Sequence, residues 1–155
     1  MDKEEYARRV EALRPKLYRT ALCYLGRQQD ALDVLDEAVY RGLCGLRKLR
    51  QPEFFDTWLT RILLNECSRE LKRRSRWLSL EKRREAEVRD LDQLPLQEAI
   101  RALPKELEDV IILRFFSGCT QAETAQALQI PQGTVATRQR RALQLLKLEL
   151  EEGAQ

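Results

Sequence analysis

A chain of 155 residues with 34% charged and only 6% aromatic residues suits one or two small helical modules better than one large core. It has no histidine, and its four cysteines (Cys23, Cys44, Cys67, Cys119) form no C-x-x-C pair. That argues against a zinc site or a histidine-dependent catalytic triad, so no metal, no cofactor and no enzyme activity are expected.

Glycine and proline are few and β-branched runs are short, which predicts an all-α fold. No apolar run reaches membrane-spanning length and no signal peptide opens the sequence, so a cytoplasmic protein with reduced thiols and no membrane insertion is expected. The net charge of +3 is small, but it is unevenly placed. Residues Arg61 to Arg84 hold nine Lys/Arg against three Glu, and Gln132 to Leu148 hold four Lys/Arg and no acid. Two basic patches fit two contacts on a polyanion, or equally two solvated helix faces.

In chain order, Leu13, Leu17, Ala21 and Leu25 recur every fourth residue and predict a first helix, which Gly26 stops. Asp30 is read as the cap of a second helix with the apolar face Ala31, Val34, Leu35, Ala38, Val39, Gly42 and Leu46. The residues "QPEFF" interrupt the pattern. A third helix starts near Asp56 and runs through "TWLTRILLNECSRELKRRSR", with Trp58 in the core. Residues 76–93 have dense charge and weak periodicity and are read as a linker between a domain at 1–75 and a second at 94–155. In the second, "LPLQEAIRALP" is a short helix closed by Pro104, and "KELEDVIILRFFSG" another closed by Gly118.

Thr120 and Glu123 form a capping box for a helix over Gln121 to Leu128. "QIPQ" is a turn, and Pro131 suits the start of a last helix. A small Ala125, a turn, then Val135 facing back is helix-turn-helix spacing. Val135, Ala142, Leu143, Leu146 and Leu150 are assigned to the core side, and Thr134, Thr137, Arg138, Arg140 and Arg141 to the outside. The early part of such a helix enters the DNA major groove, where arginine can bind guanine edges or phosphates. A plain helical hairpin with a solvated basic face is the alternative at this level.

The stretch "LEDVIILRFFSGCTQAETAQALQIPQGTVATRQRRALQLLK" resembles region 4 of bacterial RNA polymerase sigma factors, with its "VxxLRxxxG" helix and "xxEIAxxLxIxxGTVxSRxxRA" motif. "DALDVLDEAVYRGL" and "FFDTWLTRILLNECSRELKRRSR" resemble two segments of region 2 of the same family. The two motif sets stand in the family's order and span nearly the whole chain, and the small size resembles the extracytoplasmic-function (ECF) group of the sigma-70 family. The fold this implies is all-α, a region 2 bundle and a region 4 helix-turn-helix joined by a charged linker.

The resemblance implies a factor that binds core RNA polymerase, recognises −35 and −10 promoter elements and promotes melting. By it, Gln132, Thr134, Thr137, Arg138, Arg140 and Arg141 would meet the −35 element. Arg61, Asn65, Ser68, Arg69, Lys72, Arg73, Arg74 and Arg76 would meet the −10 element, with Asn65 beside the pocket for a flipped base. Asp30, Asp33, Asp36 and Glu37 would dock on the β′ clamp helices, and the β flap, promoter DNA and an anti-sigma factor are further implied partners.

The chain departs from the family at four places: Asp36 for the glutamine of a Gln-Glu pair, Leu32 for an acid, Gln129 for a turn glycine, and Ala136 for a basic residue. The first two bear on polymerase contact, the last two on the promoter sequence read or on phosphate grip. A helix-turn-helix regulator acting without polymerase and a degenerate sigma-like interaction module are the competing functions.

Overall fold

In the computed structural model, the structure describes residues 1–81 and 94–153, and every regular element among them is helical. The chain divides into two compact units, Met1–Asp90 and Leu91–Gln155. The part of the expected linker from residue 82 to 93 lies outside the described residues.

The first unit is built from α1 (Lys3–Leu25), α2 (Gln28–Cys44) and α3 (Phe55–Glu81), with two short 3₁₀ turns between the last two. Asp2 caps α1 by accepting from the Glu5 N–H at 2.8 Å. Gly26 ends it in the left-handed region at φ 79°, its N–H returned to the Leu22 carbonyl. The expected cap of α2 is corrected. Arg27 occupies the N-cap with no side-chain bond, and Asp30 lies inside the first turn. There its charge still favours the positive end of the helix.

Leu17, Ala21, Leu25, Ala31, Leu35, Ala38, Phe55, Leu59, Leu63 and Cys67 are buried where the three helices meet. Full burial of each large aliphatic side chain contributes about 1.5–3 kcal/mol. Trp58, expected in the core, is only half-buried and lies 6.1 Å from the Phe55 ring. Tyr6 stands edge-on to Phe55 and donates its hydroxyl to the Val39 carbonyl at 2.5 Å. Burial pushes its pKa up to about 12. Gly42 is required here, because a Cβ would lie 2.5 Å from Tyr6 Oη and 2.9 Å from Leu59 Cδ1.

The second unit comprises α4 (Leu94–Ala102), α5 (Lys105–Ile111), a π-turn over Ile112–Phe116, α6 (Gln121–Leu128) and α7 (Gln132–Gly153). Gly118 leaves the π-turn at φ 73°. The capping box is formed: Thr120 accepts from the Glu123 N–H at 3.1 Å, and the Glu123 carboxylate accepts from the Thr120 N–H at 2.9 Å. Val110, Ala125 and Val135 form the core of the helix-turn-helix, with Leu128 and Ile130 packed against it. Ala142 and Leu146 extend this core along α7. Leu143 was expected beside them, but it is 44% exposed; the core sector of α7 ends at its neighbour Ala142. The Leu150 side chain lies outside the described residues.

Candidate nucleic-acid and partner interfaces

The turn between α6 and α7 sets the aim of α7. Gln129 takes the left-handed conformation at φ 58° and ψ 45°, and the Ile130 N–H closes on the Ala125 carbonyl at 3.0 Å. The Pro131 carbonyl accepts from Thr134 and Val135, at 3.0 and 3.2 Å, and starts α7. Arg114, in the π-turn, fixes this geometry from outside. Its Nε donates to Gln139 Oε1 at 2.9 Å and its Nη1 to the Cys119 carbonyl at 2.6 Å, with the guanidinium 5.9 Å from the Phe115 ring centre. Sequence reasoning gave Arg114 no such role, because no local spacing joins it to a residue of α7.

Four of the six residues expected to meet the −35 element converge. Thr134, Thr137, Arg138 and Arg141 line one groove of α7, completed by Pro104, Glu106 and Leu107 at the start of α5. Their spacing of three, four and seven residues keeps them on one helix face. Thr137 Oγ1 also donates back to the Gly133 carbonyl at 3.0 Å. Gln132 and Arg140 are exposed but do not line the groove, since each helical step turns about 100°. Glu106 was not anticipated.

On α3, Arg61, Asn65, Ser68 and Lys72 share a face, with Asn65 and Lys72 exposed and the other two half-buried. The Asn65 amide makes no hydrogen bond among the described residues. Arg69 and Arg73 turn the other way. They line a groove with Asp30, Asp33, Val34 and Glu37 of α2 and with Glu66 and Glu70 of α3. Arg69 pairs with Glu66 at 3.2 Å and Arg73 with Glu70 at 2.6 Å, and Arg41 joins Glu66 to Glu37 through contacts of 2.9 Å each. The hydrogen bond from Arg73, ahead of weaker charge effects, holds the Glu70 carboxyl below its ordinary range.

Arg74 faces the bundle: it pairs with Asp30 and donates to the Leu25 carbonyl at 2.8 Å. Arg76 is exposed. The acids thus divide. Asp30 is engaged within the unit. Among the described residues Asp33 accepts only from Gln29, and Asp36 is exposed outside the groove. Leu32, whose departure from the family's acid bears on polymerase contact, is exposed on the same helix, and the exposed Tyr40 and Leu43, which no sequence motif assigns to an interface, add to an apolar border.

No group of three metal-ligating side chains occurs among the described residues, and no helix among them is long and apolar enough to cross a membrane.

Residues 9–77 match the family pattern described as Sigma-70 region 2, and residues 93–146 match Sigma-70, region 4. The chain is 31% identical over 141 residues to RNA polymerase sigma factor SigV of Bacillus subtilis, covering 86% of this chain and 83% of SigV. It is 26% identical to the ECF RNA polymerase sigma factor SigW of the same bacterium, over 96% and 90% of the two chains. Its fold is similar to that of the sigma factor RpoE solved in complex with the anti-sigma factor NepR from Bartonella quintana, at a TM-score of 0.77 and 20% identity over 96% of this chain and 98% of that one. It is also similar to CnrH solved with the cytosolic domain of CnrY, at 0.75 and 23% over 97% and 90%.

Proposed function

The chain belongs to the sigma-70 family of RNA polymerase sigma factors, in its ECF group, and on that premise we propose how its two units divide promoter recognition. It is an alternative sigma factor that binds core RNA polymerase and promoter DNA for transcription initiation. Sigma factors are non-catalytic initiation factors; the reaction belongs to the polymerase, and this chain contributes specificity and strand separation, acting in the cytoplasm.

In this reading residues 1–75 form the unit that binds core polymerase and the −10 element, 76–93 the linker, and 94–155 the −35 unit. Thr134, Thr137, Arg138 and Arg141 read or grip the −35 duplex, flanked by Gln132 and Arg140. Asn65 receives a flipped −10 base, which offsets an unstacking cost of a few kcal/mol, while Arg61, Ser68 and Lys72 hold the strand beside it. Arg76, exposed near the end of α3, extends the basic side, whereas Arg69, Arg73 and Arg74 reach a phosphate only by giving up their carboxylate partners. The exposed side of α2, with Asp33, Asp36 and Glu37 and the nearby Asp30, docks on the β′ clamp helices, where acidic charge is complementary to a basic partner. The −35 unit rests against the β flap. Relatives of this fold solved with anti-sigma partners support sequestration of this chain by such a factor.

The observation that carries the reading is the convergence of Thr134, Thr137, Arg138 and Arg141 on one groove of a helix-turn-helix. The test is transcription in vitro with core polymerase alone and with this chain added, with sequencing of the transcript 5′ ends. Discrete starts that appear only with the chain, downstream of a shared pair of motifs, support it. Unchanged starts with a chain that still binds DNA would favour a regulator independent of polymerase.

A further inference from the structure

The groove proposed to receive the −35 duplex contains one acid. Glu106, in the first turn of α5, lines it opposite Arg138 and Arg141, and it is exposed and pairs with neither. A carboxylate placed among groups that bind a polyanion weakens that binding unless it contacts a base amino group or neutralises a neighbouring cation. The second is absent here, since Glu106 makes no ion pair among the described residues. Its place in the fold disfavours the first. In a helix-turn-helix the recognition helix enters the major groove, while the helices beside it cross the sugar–phosphate backbone. Glu106 stands on α5 and not on the recognition helix α7, which favours a backbone phosphate over a base edge as its neighbour.

We propose that Glu106 is a negative determinant in the −35 groove: it repels a backbone phosphate and keeps the free protein's grip on duplex DNA weak. Occupancy of a promoter then depends on the cooperation of both units on the polymerase, and stray binding to other duplexes is held down. The helix around it tolerates the charge well, because an acid in a first turn is favourable to the helix end.

This inference rests on the assignment of the groove to DNA, so the experiment includes variants that test that assignment separately. A duplex is selected from a random-sequence pool by the unmodified full-length chain. Its affinity, and that of a scrambled duplex of the same length, are then measured for the unmodified chain and for Glu106→Gln, Glu106→Lys, Arg138→Ala and Arg141→Ala. Removing one exposed repulsive charge corresponds to about a two- to fivefold gain. Glu106→Gln is expected to show that gain on both duplexes alike, and Glu106→Lys a larger one. If the arginine variants weaken binding and the Glu106 variants change nothing, this inference falls while the groove assignment stands. If Glu106→Gln loses affinity for the selected duplex alone, Glu106 reads a base and the inference is overturned. If none of the four variants alters affinity, the groove does not bind DNA and both readings fall. Circular dichroism of each variant confirms that it is folded.

Discussion

Arg114 and Gln139 are 25 positions apart in sequence, yet the guanidinium Nε of one donates to the amide oxygen of the other at 2.9 Å. This bond ties the π-turn to the recognition helix, and the second bond of Arg114 to the Cys119 carbonyl secures the entry to α6. Arg114→Ala removes both charge-assisted bonds and is expected to lower the stability of the second unit by about 2–3 kcal/mol. Gln139→Ala should cost less, because the Cys119 bond remains. Urea unfolding of the full-length variants checks the order of the two losses; equal, negligible losses would make the contact incidental.

Gln129 holds a positive φ that a side chain makes unfavourable by roughly 1–2 kcal/mol. Gln129→Gly is therefore expected to stabilise the helix-turn-helix by about 0.5–1 kcal/mol after the entropy that glycine adds to the unfolded chain. Thermal unfolding would show a higher midpoint. A lower one would mean that the Gln129 side chain makes a stabilising contact.

The acids of α2 should not all behave alike. Asp33→Arg with Glu37→Arg reverses exposed charges at the proposed polymerase face, and is expected to abolish capture by core polymerase while the helical circular dichroism spectrum stays unchanged. Asp30→Ala instead removes one carboxylate partner of the partly buried Arg74, which keeps Glu70 at 3.5 Å and the Leu25 carbonyl at 2.8 Å, and is expected to cost about 1 kcal/mol of stability. Undiminished pull-down by the folded double variant would remove the clamp-docking assignment.

Asn65→Ala is expected to leave core binding and −35 duplex binding nearly unchanged and to reduce open-complex formation. The loss should shrink on a template already unpaired through the −10 element, where the unstacking cost has been removed. Permanganate reactivity of promoter thymines on both templates provides the measurement. Equal melting by mutant and wild type on the fully paired promoter would place base capture elsewhere.

Glu108 carries a pH signature. Burial raises its pKa to about 7, against the opposing pull of Lys105 at 4.0 Å; Asp109 raises it and Arg101 lowers it further. The folded state thus binds this proton more tightly than the unfolded chain, where the value is near 4.5. Its contribution to stability is full below that unfolded value and is lost as pH rises through 7. Urea midpoints measured from pH 4.5 to 8 should fall over this window, and Glu108→Gln should flatten the fall.

Much of the architecture was legible because it is local. The Thr120–Glu123 capping box, the stop at Gly26 and the turn before Pro131 each depend on residues within four positions of one another. Helical periodicity also placed Asn65 and Lys72 on one exposed face and Thr134, Thr137, Arg138 and Arg141 together. It could not show which charged residues meet across helices. Arg74 looked like any other member of a basic run, and only the packing of α3 on α2 turns it onto Asp30. The same blindness hid Glu66 and Arg41, and it hid Glu106, whose helix is separated in sequence from the groove it borders. Leu143 was misplaced for a subtler reason: an apolar pattern gives the direction of a buried face but not its width.

The ion pairs on α3 bear on how salt governs promoter binding. Arg69, Arg73 and Arg74 already hold carboxylates as internal counter-ions. A phosphate that approaches one of them displaces a protein carboxylate before it forms its own contact. Arg61 and Lys72, by contrast, make no ion pair among the described residues. Each phosphate neutralised on a single strand releases condensed cations and contributes about −0.7 to the slope of log affinity against log salt concentration. The basic run of α3 therefore overstates the electrolyte sensitivity of −10 binding, and Arg61→Ala or Lys72→Ala should flatten that slope more than Arg74→Ala does.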